Sequence, residues 1–201
     1  MNNISDGPIS LIIYRPLAKK IKDLIVGYDI TPNQITITSF ILACLASLYF
    51  FLGTYNWLVI GGLLTFVSEI SDHLDGEIAR AKDMQSEYGG WLDSVLDRYA
   101  DAFLLTGLTF HVYFNEAIYT SLYLLIGITA IIGSFMVSYT AIKYDNFNKN
   151  SSIHNFTRIG RDVRTFIIIV GAIINQPLLA LIIISILMNF ESVRRIIICK
   201  D

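Results

Sequence analysis

The chain has 201 residues, 54% of them hydrophobic and only 16% charged, with 15 Lys and Arg against 17 Asp and Glu. Soluble domains carry about a quarter charged residues, and the mean hydropathy here is +0.56. These figures exclude a disordered chain, a basic nucleic-acid module and, with two cysteines, a disulfide scaffold.

Residues 1–30 read as an N-terminal arm. Within it, Ile9 to Val26 mixes Leu11, Ile12, Ile13, Leu17, Ile21, Leu24 and Ile25 with Arg15 and three lysines. That pattern predicts an amphipathic helix lying on the inner membrane surface, with a cytoplasmic helix packed on the bundle as the alternative. The first ten residues lack a basic start followed by an apolar run, so no cleavable signal peptide is expected.

Residues 31–201 predict a bundle of membrane spans, so that 1–201 is a single domain. No charge occurs between Asp29 and Glu69, Asp101 and Glu116, Glu116 and Lys143, or Arg164 and Glu191. A span needs about 20 apolar residues. The first gap therefore holds two helices, from Gln34 to Gly53 and from Trp57 to beyond Ser68, broken at Gly53-Thr54-Tyr55-Asn56. A third runs from Trp91 to Phe114 and a fourth from Ala117 to Lys143. The stretch from Thr165 to Phe190 is one span, or two hinged at Asn175-Gln176-Pro177, where proline stops a helix. Charge decides for two: with six spans all 15 Lys and Arg fall on one side, and Glu116 is the only charge on the other. The expected fold class is an all-α membrane protein with six transmembrane helices behind an interfacial helix, both termini cytoplasmic. Tyr49, Phe50, Tyr113 and Phe114, near span ends, read as interface anchors. Gly61-Gly62 is compatible with close helix packing. The polar segment Asp145 to Ser152 reads as a loop.

Between Ser71 and Arg98 the sequence is SDHLDGEIARAKDMQSEYGGWLDSVLDR. Asp72 and Asp75 are three apart and share a helix face with Gly76, Ala79 and Arg80. Gly89, Asp93, Asp97 and Asp101 recur every four residues on the next helix. A short linker makes the two helices antiparallel neighbours, so their acidic faces converge near the cytoplasmic ends. Burial and mutual repulsion oppose ionisation of four such carboxylates. Two divalent cations balance them, and an oxygen-only set suits Mg²⁺, Mn²⁺ or Ca²⁺. Beside an arginine and small residues, such ions suit a diphosphate and an in-line phosphoryl displacement. Glu69 and Asp101 extend the acidic faces, either as groups that orient Arg98 or the ligands, or as structural residues. His73 reads as a non-ligand.

Asp72, Asp75, Gly76, Ala79, Arg80, Gly89, Asp93 and Asp97 match all eight fixed positions of the signature of the CDP-alcohol phosphotransferase (phosphatidyltransferase) family, across twenty-six residues. The chain resembles that family over nearly its whole length, and Thr31-Pro32-Asn33-Gln34-Ile35-Thr36 is similar to its entry to the first span. The resemblance implies an enzyme that moves a phosphoryl-alcohol group from a CDP-alcohol to an acceptor hydroxyl and releases CMP. By the same resemblance Asp72, Asp75, Asp93 and Asp97 hold two cations, Mg²⁺ or Mn²⁺, with Asp97 also the catalytic base. Asn33, Thr36, Gly76, Arg80 and Ser86 match positions that line the donor nucleotide site. It further implies a homodimer in the cell membrane with the active site facing the cytoplasm.

Lys143, Arg161 and Arg164 flank the fourth and fifth spans and are expected to form an acceptor phosphate pocket, the alternative being ordinary inside-positive charge. DGEIARAK, YGGWLDSVLDRYADA and GRDVRTF look most like the branch around di-myo-inositol phosphate phosphate synthase. That implies a polyol-phosphate acceptor such as inositol phosphate. A cytidylyltransferase domain often precedes the membrane domain there, and with only about thirty residues ahead of the spans, donor synthesis is expected from a separate protein. A phospholipid synthase using CDP-diacylglycerol or CDP-archaeol is the second reading. A divalent-cation transporter is the non-enzyme alternative, and it leaves Arg80 and the basic cluster without a role. No nucleic-acid partner is expected.

Overall fold

The computed structural model describes residues 7–116, 120–147 and 159–199, and every regular element among them is a helix. A π-helical turn, Ser10–Tyr14, leads into α1 (Arg15–Ile25). Six longer helices follow: α2 (Pro32–Phe51), α3 (Tyr55–Ala81), α4 (Glu87–Asn115), α5 (Thr120–Phe147), α6 (Arg161–Ile173) and α7 (Pro177–Ile198).

Local chemistry sets the ends. Thr31 and Gln34 form a reciprocal capping box at the start of α2, with Pro32 in the first turn where its missing N–H costs nothing. Gly53, at φ +81°, turns the chain between α2 and α3, a conformation other residues resist. The Ser86 hydroxyl accepts from the Gly89 N–H at 3.0 Å and starts α4. The expected hinge after Thr165 is present. Asn175 takes φ +56°, the Gln176 N–H donates back to the Gly171 carbonyl at 2.7 Å, and Pro177 opens α7. That stretch therefore forms two helices rather than one.

α2 packs against α3 and α4, α5 against α7, and α6 fills the space between α3 and α7. Phe50, Leu104, Leu105, Leu108, Ile168, Leu181, Ile184 and Met188 form the core. Phe50 is fully buried against Gly61 rather than anchored at an interface, because only a glycine leaves room for its ring. Gly61 and Gly62 both face neighbours within the chain, α2 and Ala172 of α6, so their smallness serves the bundle itself. The outer surface stays apolar, with Leu48, Leu63, Leu125, Ile132 and Ile186 exposed. The segments Pro32–Phe51 and Thr120–Ala141 are long and apolar enough to cross a membrane by length and composition.

The arm helix α1 docks on α3. Ala18, Ile21 and Ile25 pack with Leu74 and Ile78, while Lys19, Lys20 and Leu24 point outward. The arm, the second half of α3, and the first turns of α4 and α6 thus meet at one end of the bundle. A cavity of about 500 Å³ lies at the other end, lined by Tyr55, His111, Glu116 and Gln176 among others. Among the described residues, Glu116 is the one carboxylate on its lining.

Candidate active site at the charged end of the bundle

Two connected cavities occupy the charged end. The smaller, about 220 Å³, is lined by all five expected donor-site residues: Asn33, Thr36, Gly76, Arg80 and Ser86. Residues from the α2 entry, α3 and the α4 entry meet there because the turn at 82–86 is short and folds α4 back against α3. Gly76 keeps the floor open, with the Arg80 guanidinium passing 3.4 Å from where a side chain would begin. The Thr36 hydroxyl donates to Asp75 at 2.5 Å, linking α2 to the acidic face of α3.

The larger cavity, about 410 Å³, shares Asp75, Gly76, Arg80 and Asp93 with the first. Asp72, Asp93 and Asp97 each bring one carboxylate oxygen within 4.8 Å of the others. Asp75 stands beside this trio on the wall common to both cavities. The spacing explains the convergence: three and four residues along a helix return to the same face. The oxygen-only donors, their tight grouping, and the buried Asp93 Oδ1 with no hydrogen-bond partner fit a hard divalent cation.

Arg161, the first residue of α6, reaches into the cluster. Its Nη1 lies 2.8 Å from Asp72 and 2.7 Å from Asp97, and its Nη2 lies 3.1 Å from Glu69. Its Nε is 3.5 Å from Asp101. Glu69 and Asp101 are thus the inner anchors of an arginine whose outer edge faces Asp72 and Asp97. The contact of Asp101 with Arg98, one of the roles considered for it, is the longer one at 3.9 Å.

The expected basic pocket is only partly assembled. Arg161 lines the cavity. Arg164 does not: it is fully buried, paired with Asp101, and donates to the Ser134 carbonyl at 3.4 Å. Placing it among acceptor ligands is therefore corrected; its charge is spent inside the bundle. Lys143 falls in α5, and its side chain lies outside the described residues, as does most of the polar segment 145–152. Arg195 and Arg15 take places on the cavity wall that the sequence did not assign. Arg195 donates to Glu191 at 2.8 Å and to the Val137 and Ile159 carbonyls, both at 2.7 Å. The signal for it was the four-residue spacing to Glu191.

His73 is no part of the carboxylate trio, yet it lines the cavity. Its Nδ1 meets the Glu69 carbonyl and its Nε2 the Ser10 hydroxyl, both at 2.9 Å. Tyr14 is buried against its ring, and burial, then the Glu69 carboxylate, push the phenol's pKa up and keep it protonated.

Fold and site together define a helical bundle with a carboxylate cluster opening onto a groove at one end. Residues 29–196 match the CDP-alcohol phosphatidyltransferase family, and the chain belongs to it. It is similar to the bifunctional IPC transferase and DIPP synthase of Rubrobacter xylanophilus, 33% identical over 199 residues, 98% of this chain and 43% of that protein. The chain thus spans less than half the length of that relative. The archaetidylinositol phosphate synthase of Pyrococcus horikoshii is 29% identical over 186 residues, covering 92% of this chain and 90% of that one. Among solved structures, Mycobacterium tuberculosis phosphatidylinositol phosphate synthase with CDP-DAG bound shares the fold. Its TM-score is 0.71 at 18% identity, with 93% of each chain covered.

Proposed function

We propose that the chain is an integral membrane, metal-dependent CDP-alcohol phosphotransferase that joins a CDP-linked alcohol to the hydroxyl of a polyol phosphate such as inositol phosphate. The observation that carries this reading is the meeting of the Asp72, Asp93 and Asp97 oxygens with a groove lined by Asn33, Thr36, Gly76, Arg80 and Ser86.

In this reading Arg80 and the Ser86 end of the groove hold the donor diphosphate and nucleotide. Asp72, Asp75, Asp93 and Asp97 would hold two divalent cations, Mg²⁺ or Mn²⁺. Bound there, such ions neutralise the diphosphate and the charge that develops as its P–O bond breaks. Asp97 accepts the proton of the acceptor hydroxyl, whose oxygen attacks the phosphorus of the transferred group, and CMP departs. Arg161 faces the same carboxylates and is the acceptor-side cation. Thr36 orients Asp75 through its 2.5 Å hydrogen bond.

Six membrane spans with both termini cytoplasmic are proposed from the charge pattern of the sequence, in which six spans leave all Lys and Arg on one side. The site then opens to the cytoplasm, where CDP-alcohols and polyol phosphates are met, and a homodimer is the proposed assembly by family resemblance. Relatives named for archaetidylinositol phosphate and phosphatidylinositol phosphate favour a second donor class, a CDP-lipid such as CDP-diacylglycerol or CDP-archaeol.

The deciding experiment supplies purified protein and Mg²⁺ or Mn²⁺ with CDP-inositol or a CDP-lipid, each with and without inositol phosphate. CMP release that needs donor, acceptor and metal together supports the transferase. No CMP across the panel, with divalent-ion uptake into proteoliposomes, refutes it in favour of a transporter. The donor that gives CMP separates the two donor classes.

A further inference from the structure

We propose that Arg15 is an acceptor-binding residue: the N-terminal arm carries its guanidinium into the acceptor half of the cavity to grip a phosphomonoester. This rests on the transferase reading above and names a part of the acceptor site that the family signature leaves out.

The larger cavity shares Asp75, Gly76, Arg80 and Asp93 with the smaller groove. Lining that it does not share comes from Gly7, Ser10 and Arg15 of the arm, Ser138 of α5, and Gly160 and Arg161 at the entry to α6. An arginine on a helix that merely rested on lipid would turn its charge outward to the headgroups, as Lys19 and Lys20 do. Arg15 does the opposite. It is only 7% exposed and lies on the cavity wall.

The arm is fixed for that purpose at three points. The Asp162 carboxylate accepts the Ile9 and Ser10 N–H groups at 3.0 and 3.3 Å. The Ser10 hydroxyl meets His73 at 2.9 Å, and Tyr14 is fully buried between Phe66 and His73. Gly7 passes so close to Asp162 that any side chain there would overlap the carboxylate. Asp162 follows Arg161 directly, so one helical turn sets both the acceptor-side arginine and the arm that brings Arg15. A phosphomonoester carries up to two negative charges near neutral pH, and Arg161 and Arg15 stand on the same cavity lining to meet them together. A second guanidinium, able to bind phosphate through two parallel N–H groups, supplies what the dianion needs. Asp162 and His73 are positioning residues in this scheme.

The test titrates full-length protein in lipid-free detergent, with Mn²⁺ present, against myo-inositol 1-phosphate and inorganic phosphate, and repeats the titration in nanodiscs with and without anionic lipid. Arg15→Gln should weaken myo-inositol 1-phosphate binding about 10- to 100-fold, the range for losing a charge-assisted hydrogen bond to phosphate. Arg15→Lys should recover part of it. In turnover, acceptor KM should rise while donor KM holds. Asp162→Ala should raise acceptor KM in the same direction with kcat retained, and should add little in the Arg15→Gln background. If Arg15→Gln is poorly folded by size-exclusion profile, the Lys and Asp162→Ala variants carry the decision. Unchanged soluble-phosphate affinity in folded Arg15→Gln overturns the proposal. So does an effect confined to anionic nanodiscs, which would assign Arg15 to lipid headgroups. A wild-type protein that releases no CMP sinks the transferase reading instead, and the binding titration still decides the fate of Arg15.

Discussion

Arg164→Met separates an arginine that serves the bundle from one that serves the substrate. In the native protein its guanidinium is fully buried against Asp101, itself 1% exposed, and also donates to the Ser134 carbonyl. Removing one member of a buried ion pair leaves an uncompensated charge and costs about 3–5 kcal/mol. Asp101 keeps Arg161 at 3.5 Å and Arg98 at 3.9 Å, which places the expected loss near the lower limit, about 3 kcal/mol. At roughly 2–4 °C per kcal/mol for a chain of this size, the melting temperature should fall by about 6–12 °C. Asp101→Leu/Arg164→Met removes both charges, leaves the Ser134 carbonyl short of a donor, and should return to within about 1 kcal/mol of the parent. The measurement is thermal unfolding in detergent, paired with acceptor KM on the folded enzyme. A single variant that melts within about 2 °C of the parent while its acceptor KM rises roughly tenfold would make Arg164 a ligand and refute its structural role.

Asp97→Asn should lower CMP release about 10²–10⁴-fold, the usual weight of a general base, while a CDP titration shows nucleotide binding kept; undiminished turnover would remove the base role. Asp93→Asn should weaken Mn²⁺ binding at least about tenfold, followed by the electron paramagnetic resonance signal of free Mn²⁺. Chelation with EDTA should stop turnover in the parent, and added Mg²⁺ or Mn²⁺ should restore it. An Mn²⁺ affinity unchanged in Asp93→Asn would remove that residue from the ligand set. Gly61→Ala should cost about 1–3 kcal/mol, because its Cβ would meet the buried Phe50 ring and the Ala46 carbonyl. Gly90→Ala, in an exposed helical turn with nothing within 4 Å, should instead gain about 0.5–1 kcal/mol. Melting curves showing both variants equally stable would contradict the packing at the α2–α3 contact.

What the sequence made legible was local. The aspartates at 72, 75, 93 and 97 sit three and four apart, and helical periodicity alone puts each pair on one face. The Pro177 start of α7 was readable because proline stops a helix, whereas the capping box starts α2 at Pro32, two residues before the expected Gln34. Arg161 and Arg164 show where that reasoning stops. They too are three apart on one helix, which suggests a shared cavity, but long side chains part company according to what they meet. Arg161 meets carboxylates 89 residues away in α3, and Arg164 meets a carbonyl of α5 together with Asp101 of α4. Neither neighbour is visible in a stretch of sequence. Phe50 was misread likewise, because its burial depends on Gly61 across a turn. The arm was read from its amphipathic pattern as a surface helix, and that pattern cannot show that Asp162 reaches its backbone from 152 residues away.

The charge arrangement at the site follows from who pairs with whom. Seven acidic side chains gather there: Glu69, Asp72, Asp75, Asp93, Asp97, Asp101, and Asp162, which accepts from the N–H groups of the arm. Glu69 and Asp101 lie deepest, each about 1% exposed; Asp101 faces the fully buried Arg164, and both reach the half-buried Arg161, which also bridges to Asp72 and Asp97. Pairing of this kind is how an apolar bundle tolerates charge. Arg98 is about a third exposed, so water screens its contact with Asp97. The four signature aspartates line the cavity, Asp72 and Asp97 in contact with Arg161. Four negative charges match two divalent cations, and this balance supports the proposed pair of ions. It also gives Glu69 and Asp101 a reason to be present. By sharing the charge of Arg161 from beneath, they leave less of it on Asp72 and Asp97, to which the proposed reading assigns metal and the acceptor's proton.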